Sequence, residues 1–531
     1  MKKNLLYISQ NKSPYFLNIF VGERFKDYEI TKIMEFKFSC QMIWSCVKIL
    51  HKKHHACVFH ALSPLNYIKK FIISILFLFS RAKEKIIIEG DREKHQVSFS
   101  FYIKSFVLLP FCIFFTVLSL LFSLFIAILV RILIRKPAKL NHKVESKNIA
   151  CIYTLFGLSK TIGGHISHTT GVIDGIRKLG LKPTIYSFGK IGLIEDNYVI
   201  INQPFSNYLP CYVAQMLFNL TSILTILQDF KKKNPAFIYQ RHGHFNLLGV
   251  ILSYFTGLPF ILEVNAIIDQ EQKSYNNKNF LSFLVYFYEK ICFDAAHRVL
   301  SITDKLKEEL IKKGVDEERI FVNPNGVDID IFKPGVGGKE VRKELRLQDK
   351  IVVGFSGTFA VWHGTETLKA VALKVLSEIP SSAFLFIGDG PEKSKIEDFL
   401  KQKFPEDRLI FTGLISPNEV PAYLDACDIL ISALDGRYEY ASPTKMFEYM
   451  AMGKAIICYN TGQMAQIFKN NVNAITVKDK DIEAFAVAAC DLAKNEQLRR
   501  KLGEQAEKDA RNFYTWDINV QRILDSYQSL F

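Results

Sequence analysis

Apolar and polar positions follow three different patterns along the chain. From residue 148 onward, short apolar runs alternate with longer stretches whose apolar positions recur every three or four residues. Asn148–Thr154, Thr184–Ser187, Phe237–Tyr239, Phe260–Glu263 and Arg298–Ser301 read as strands, with helices such as Ser167–Leu179 and Asn246–Phe255 between them. A second series runs Ile351–Ser356, Ala383–Ile387, Leu409–Phe411, Ile429–Ser432 and Ala455–Tyr459. This alternation predicts an α/β fold, with parallel sheets in two doubly wound domains. Phe332–Arg346, rich in Gly, Lys and Pro, reads as the linker between them. Two such domains set a ligand cleft between the carboxyl ends of their strands.

The second pattern is an uncharged run. Ser105–Val130 carries no Asp, Glu, Lys or Arg over 26 residues. As a helix it extends about 39 Å, against a hydrocarbon core of about 30 Å. It therefore reads as a membrane segment, and a buried helix of a soluble core is the weaker account. Pro110 permits a kink, so a full crossing and a re-entrant hairpin both stay open. The third pattern lies upstream, where Asn4–Ser9, Ala56–His60 and Lys85–Glu89 read as strands of a small α/β region. Tyr67–Ser80 is an apolar helix too short to span a bilayer. The strand–helix–strand run His55–Asp91 echoes Pro235–Asn265, each with a His-containing turn. A truncated duplicate and ordinary α/β similarity both account for that echo.

Charge sharpens this division. The 531 residues carry a formal net charge of +15, and residues 1–147 hold 24 Lys and Arg against 9 Asp and Glu, leaving 44 of each to residues 148–531. A neutral body argues against a nucleic-acid binder. Arg131, Arg135, Lys136, Lys139 and Lys143 follow the apolar run directly, which places that flank in the cytosol against an anionic membrane face. The ten cysteines form no CxxC pair, which disfavours zinc and a disulfide framework. Met1–Gln10 has a four-residue apolar run only, so no cleavable signal peptide is expected there.

Candidate chemistry sits in turns at predicted strand ends. In TIGGHISHTTGVIDG, Gly163 and Gly164 separate a strand from a helix, where a small residue lets backbone approach an anion. The pattern is not GxGxxG and gives no support to a nicotinamide cofactor. GFSGTFAVWHGTETL adds Gly354, Gly357 and Gly364, a loop whose N–H groups could cradle phosphates, with His363 within it. IGDGPEKSKI supplies Gly388, Gly390 and Glu392. In SPTKMFEYMAMGKAII, Ser442-Pro443 precedes a helix from Thr444 on which Lys445 and Glu448 share a face. A lysine suits phosphate and a carboxylate suits vicinal ribose hydroxyls. Plain turns, a surface histidine and a solvated Glu/Lys pair are the bland accounts of each motif alone. Asp328 and Asp330 form a D-x-D after the Asn325–Gly326 turn, with metal binding the minor reading.

Together the motifs resemble the retaining GT-B glycosyltransferases of the glycosyltransferase family 4, or glycosyl transferases group 1, type. YQRHGHFNLLGVILSYFTGLPFILEVNA, PNGVDIDIFKP, FSGTFAVWHGTETL, FIGDGPE, LIFTG and SPTKMFEYMAMGKAII occur in the family's order, within residues 148–531. Charge and hydropathy mark a basic α/β region at 1–100 and a membrane segment and flank at 101–147, and the resemblance implies an acceptor domain at 148–333, a donor domain at 334–512 and a returning helix at 513–531. It implies a nucleotide-sugar donor, UDP- or GDP-linked, with no metal or redox cofactor and with retained anomeric configuration. By carry-over, Gly357, Thr358 and His363 lie at the donor phosphates, with Gly388 in the neighbouring turn and Glu392 near the base. Glu448 grips the ribose, and Ser442, Pro443, Thr444 and Lys445 shape the sugar-phosphate loop. Gly163 and Gly164 border the donor from the other domain.

Three positions depart from the family. Thr358 stands where many members have Arg, and His363 where they have Lys. Tyr440 stands eight residues before Glu448 where an acid is expected, with Glu439 one place off. Asn265 replaces a strand-end histidine, which leaves Arg241 and Glu263 as the nearest polar residues in sequence and no general base named. The expected function is a membrane-associated, metal-independent, hexosyltransferase-like enzyme with its catalytic domain on the cytoplasmic face, acting on a lipid-linked or glycan acceptor in surface polysaccharide or glycolipid synthesis. A scaffold subunit that has lost its chemistry is the alternative these departures raise.

Overall fold

The computed structural model describes residues 99–531 apart from 135, 141–142, 155–163, 190, 192–193, 195–197, 202–208, 269–281, 361–362 and 435–439. Before residue 99 it describes 3–9, 28–35, 56–61, 67–78, 80, 82, 84–89 and 93–96.

Strands β1 (Lys3–Ser9), β2 (Tyr28–Glu35), β3 (Ala56–Ala61), β4 (Glu84–Glu89) and β5 (Glu93–Gln96) form the first sheet, in the order β2-β1-β3-β4-β5. The first four are parallel, and β5 runs antiparallel to β4. Helix α1 (Tyr67–Leu78) joins β3 to β4, and helix α2 (Phe99–Leu133) follows. Helix α2 continues unbroken through Pro110, so the re-entrant hairpin does not occur. One stripe of it, Cys112, Ser119, Ser123, Ala127 and Val130, is buried.

The second sheet contains β6 (Asn148–Tyr153), β7 (Lys182–Ser187), β8 (Tyr198–Ile200), β9 (Ile238–Arg241), β10 (Phe260–Val264), β11 (Arg298–Ser301) and β12 (Ile320–Val322), ordered β12-β11-β10-β9-β6-β7-β8. The β7-β6-β9-β10 order repeats the β2-β1-β3-β4 order of the first sheet. Its helices are α3 (Gly164–Lys178), α4 (Cys211–Thr221), α5 (Ile223–Lys233), α6 (Leu248–Thr256), α7 (Ser282–Ala295) and α8 (Asp304–Lys312). Side chains along a strand alternate between faces, and β6 shows it. Ala150 and Ile152 enter the core under α4 to α7, while Ile149, Cys151 and Tyr153 enter the core under α3.

The third sheet holds β13 (Ile351–Ser356), β14 (Ser382–Ile387), β15 (Leu409–Phe411), β16 (Ile429–Ser432), β17 (Ala455–Tyr459) and β18 (Ile475–Val477), ordered β15-β14-β13-β16-β17-β18 and parallel throughout. Around it run α9 (Gly338–Glu344), α10 (Thr365–Glu378), α11 (Lys393–Lys401), α12 (Val420–Asp425), α13 (Thr444–Ala451), α14 (Met464–Ile467), α15 (Ile482–Lys494), α16 (Glu496–Phe513) and α17 (Trp516–Gln528). Helices α10, α11 and α15 cover one face, and α9, α12, α13 and α16 the other. The stretch read as a linker is therefore only part linker. The Gly338 amide donates to the Asp425 carboxylate at 2.9 Å, and this fixes α9 on α12.

The chain crosses between the two Rossmann-like domains twice, side by side. Val327 pairs with Thr515, and the Val327 amide donates to the Tyr514 carbonyl at 2.8 Å. Helix α17 then packs on α3, with Trp516, Val520 and Ile523 in the core of the second sheet. Gly171 is required there: a Cβ would sit 2.1 Å from the Trp516 ring.

Candidate functional site

The carboxyl ends of the third sheet assemble the glycine turns. Gly357 follows β13 with φ of 153°, and Gly388 follows β14 with φ of 115°. A Cβ on Gly388 would lie 2.2 Å from the Gly357 carbonyl oxygen, so the two turns touch backbone to backbone. The Gly357 amide donates to the Ile387 carbonyl at 3.0 Å, and the Glu392 amide to the Phe359 carbonyl at 2.8 Å. A Cβ on Gly357 would meet Lys445 Nζ at 3.1 Å and the His363 ring at 3.3 Å. Four positions from three separate motifs, Gly357 and His363, Gly388, and Lys445, thus converge.

Lys445 leaves the first turn of α13 and reaches back toward β13. Its Nζ lies 5.0 Å from the centre of the Phe355 ring and 3.4 Å from the Ser356 carbonyl oxygen. Tyr449, one turn on, accepts from the Ser356 amide at 2.8 Å and locks α13 to the same strand end. Burial pulls Lys445 down to about 7 against the pull of Glu448, and burial pushes Glu448 up to about 7 against that of Lys445. Lys445 is thus the basic side chain beside Gly357, and Thr358 is exposed.

His363 is tied into the same loop. Its Nδ1 donates to the Thr358 carbonyl at 2.6 Å, and burial, with Lys445 adding to it, pulls the ring down to about 3. The imidazole is neutral at physiological pH and braces the glycine loop. Glu392 is held by Lys395 at 2.8 Å beside that loop. Ser442 is fixed by Asn325, whose amide donates to Ser442 Oγ at 3.2 Å and whose side chain donates to the Ser442 carbonyl. Pro443 precedes α13 in extended backbone at φ of −70°. Across the cleft, a Cβ on Gly164 would lie 3.8 Å from Thr444 Oγ1, so the starts of α3 and α13 face each other. Gly163 and Glu439 lie outside the described residues.

Arg241 and Asn265 do not join this cluster. Arg241 ends β9 and donates to the His165 carbonyl at 3.1 Å, holding the first turn of α3. Asn265 follows β10, and its buried Oδ1 has no hydrogen-bond partner among the described residues. Between them runs a network that the spacing of residues did not reveal. Glu263 meets His168 Nε2 at 2.9 Å and accepts from the Tyr239 hydroxyl. Burial opposes charge on Glu263, yet His168 and Arg241 hold its carboxyl below the ordinary range. Nearby, His242 Nε2 lies 3.1 Å from Glu289, which also accepts from the Ile268 amide at 2.7 Å. The RHGHF run was the only sequence signal for this second pair. Asp328 and Asp330 both face Lys178, at 3.6 and 2.8 Å.

Two Rossmann-like domains, with their strand ends and helix starts turned to a shared cleft, define a GT-B architecture, and the comparisons agree. Residues 162–331 match the family described as Glycosyltransferase Family 4, and residues 338–509 the family described as Glycosyl transferases group 1. The chain belongs to the GT-B glycosyltransferases and is a glycosyltransferase enzyme. It is 23% identical to the UDP-Gal:alpha-D-GlcNAc-diphosphoundecaprenol alpha-1,3-galactosyltransferase of Escherichia coli, over 60% of this chain and 81% of that one. It is 24% identical to the N,N'-diacetylbacillosaminyl-diphospho-undecaprenol alpha-1,3-N-acetylgalactosaminyltransferase of Campylobacter jejuni, over 66% and 87%. The crystal structure of Anabaena HepE in complex with UDP superposes with a TM-score of 0.54 at 17% identity, covering 72% of this chain and 100% of that one.

Proposed function

We propose that the protein transfers a sugar from a uridine-diphosphate sugar to a lipid-linked glycan at the cytoplasmic face of a membrane, in polysaccharide synthesis, with retention at the anomeric carbon. The observation that carries this reading is the convergence of Gly357, Gly388 and Lys445 opposite the start of α3. Cleaving a sugar–phosphate bond builds negative charge on the departing diphosphate. On this reading the Gly357 turn leaves room for the diphosphate, and the start of α13 and Lys445 stabilise the charge that develops on it, as fixed groups that need no reorganisation during the step. On this reading Glu448, one turn along α13, takes the ribose hydroxyls. The reading includes no metal or other cofactor.

The choice of uridine draws on the UDP-bound structural neighbour and on the UDP-Gal donor of the E. coli relative. The lipid-linked acceptor draws on the diphospho-undecaprenol acceptors of both relatives. The apolar helix and the basic first quarter support membrane attachment, and the neutral remainder supports a body that binds no nucleic acid.

A thermal-shift panel of nucleoside diphosphates tests the donor. At one hundred times its dissociation constant, UDP should stabilise the protein by about 2.7 kcal/mol, and GDP by much less. Purified protein should then release UDP from a UDP-sugar only when polyprenyl-diphosphate glycans are present, and Glu448→Ala should abolish the release. Stabilisation by no nucleoside diphosphate overturns the proposal. Unchanged cellular glycan output from Glu448→Ala favours the scaffold instead. The anomeric coupling constant of the new linkage, read by proton NMR, tests retention.

A further inference from the structure

Helix α2 is long and apolar enough to cross a bilayer, with a mean hydropathy of 2.9 over its best window in Phe106–Leu133. Its surroundings do not suit a crossing. Ala127, Val130 and Ile134 of the buried stripe join the core of the second sheet, and Leu120, Leu124 and Ile126 pack against it. Phe115 and Leu120 pack on Leu209 and Val213 at the start of α4, and the Ser123 carbonyl accepts from the Tyr288 hydroxyl of α7 at 3.2 Å. Arg131 pairs with Asp294 at 2.8 Å. From Phe115 to Ile134 the contact runs about 29 Å, close to a full hydrocarbon thickness. A crossing would carry α7 into the lipid beside it, with Glu289, Lys290 and Asp294. Charged groups are strongly disfavoured at that depth.

The opposite face of α2 has a uniform character. Val107, Phe111, Phe114, Leu118, Leu121 and Phe125 are among its exposed residues, and every exposed residue from Phe106 to Leu133 is apolar. Protein interfaces of useful size carry a hydrogen bond for every 100–200 Å² or so and a polar rim. This face offers no side-chain donor or acceptor to a protein partner. A hydrocarbon surface asks for none. The flank that follows presents Lys136, Lys139, Lys143 and Lys147 to solvent, and His297 Nε2 meets the Ala138 carbonyl at 2.8 Å, which holds that flank on the body. Exposed lysines at the end of an apolar face complement an anionic headgroup layer.

We propose that α2 is an in-plane anchor. It lies along the membrane surface with its exposed face in the acyl chains and its small-residue stripe on the protein. Residues 1–96 and 148–531 then occupy the same side of the bilayer. This deepens the membrane attachment proposed above and rests on it.

The test uses the full chain bound to vesicles of phosphatidylethanolamine and phosphatidylglycerol. Single tryptophans replace Val107, Phe114, Leu121 and Ile128 on the exposed face, and lipids brominated near the headgroup or near the bilayer centre quench them. An in-plane helix gives all four positions the same depth, quenched at least twofold more by the shallow label. Deep quenching at Phe114 and Leu121 with shallow quenching at the two ends marks a crossing and overturns the proposal alone. Epitope tags at the two termini, digested in inside-out bacterial membrane vesicles, give an independent reading. Both should be lost together, and protection of the N-terminal tag overturns the anchor.

The paired variant Leu121→Glu/Phe125→Glu should lower the vesicle-bound fraction at least tenfold with its unfolding midpoint unchanged, because both side chains leave the protein surface. An unfolded variant would show this face packed on protein and overturn the proposal. Failure of the unaltered protein to bind vesicles, with elution as a discrete dimer, overturns both the anchor and the membrane attachment.

Discussion

Lys445 and Glu448 occupy one turn of α13 and are pushed toward each other's titration range, both to about 7. Two consequences can be measured. At pH 8 in the free protein Lys445 is mostly neutral. A diphosphate bound beside it restores its charge, so UDP binding should take up close to one proton. Titration calorimetry in buffers of different ionisation enthalpy reads that uptake, and Lys445→Met should remove it. The second consequence concerns stability. Glu448 has a folded-state pKa above its unfolded value, so the folded state holds the extra proton. The stability this provides is fully present below about pH 4.5 and is lost as pH rises through about 7. The melting temperature of the unaltered protein relative to Glu448→Gln should therefore fall between pH 5 and pH 8. A gap that is constant with pH would show that Glu448 is not shifted upward.

At the scale of elements, one close joint is between α3 and α17. Trp516 lies over Gly171 and edge-on to His168, with ring centres 5.5 Å apart. Trp516→Ala should cost about 3–5 kcal/mol in chemical denaturation, in line with truncation of a large buried aromatic. Gly171→Ala should also destabilise, because its methyl group and the indole claim one space. Most of the elements in this part of the chain were legible in the sequence, for a physical reason. A strand buried on both faces of a parallel sheet must be apolar throughout. Ile351–Ser356 and Ala455–Tyr459 coincide with β13 and β17 for that reason. Strand β5 has the sequence EKHQ and β2 has YEITKIME, and neither shows such a run. They occupy the two edges of the first sheet, where backbone pairing defines a strand without demanding apolar side chains. The site divides in the same way. Glycines at strand ends and the Lys445–Glu448 spacing are local signals. The approach of Lys445 to Phe355, and of His168 to Glu263, joins positions about ninety residues apart and depends on the packing of whole layers.

At the scale of the whole molecule, the first quarter is not a detachable address. Its charge and hydropathy suggest a separable membrane tag, yet Ala127, Val130 and Ile134 belong to the core of the second sheet. A chain beginning at residue 148 should uncover Val213, Ala214 and their neighbours on α4, and should leave Asp294 without Arg131. Size-exclusion chromatography should show it aggregated, whereas the Leu121→Glu/Phe125→Glu chain stays monodisperse. A monodisperse 148–531 chain would mean that α2 contributes little to the body.

The paired crossings at Val327 and Thr515 carry a mechanical consequence. Two bodies joined by adjacent strands behave like covers on a single spine, free to swing about one axis and stiff against sliding or shear. Asn325 belongs to that spine, and it holds Ser442, the residue two before α13. The turn leading into α13 is therefore tied to the axis and moves least as the covers part. Gly164 and Thr444, which face each other from opposite covers, separate as they swing. If one cover rests on lipid through α2, as proposed, the other is the free leaf. On the proposed function and anchor, a donor would enter and a spent diphosphate leave by the swing of the free leaf, with the acceptor side kept against the membrane.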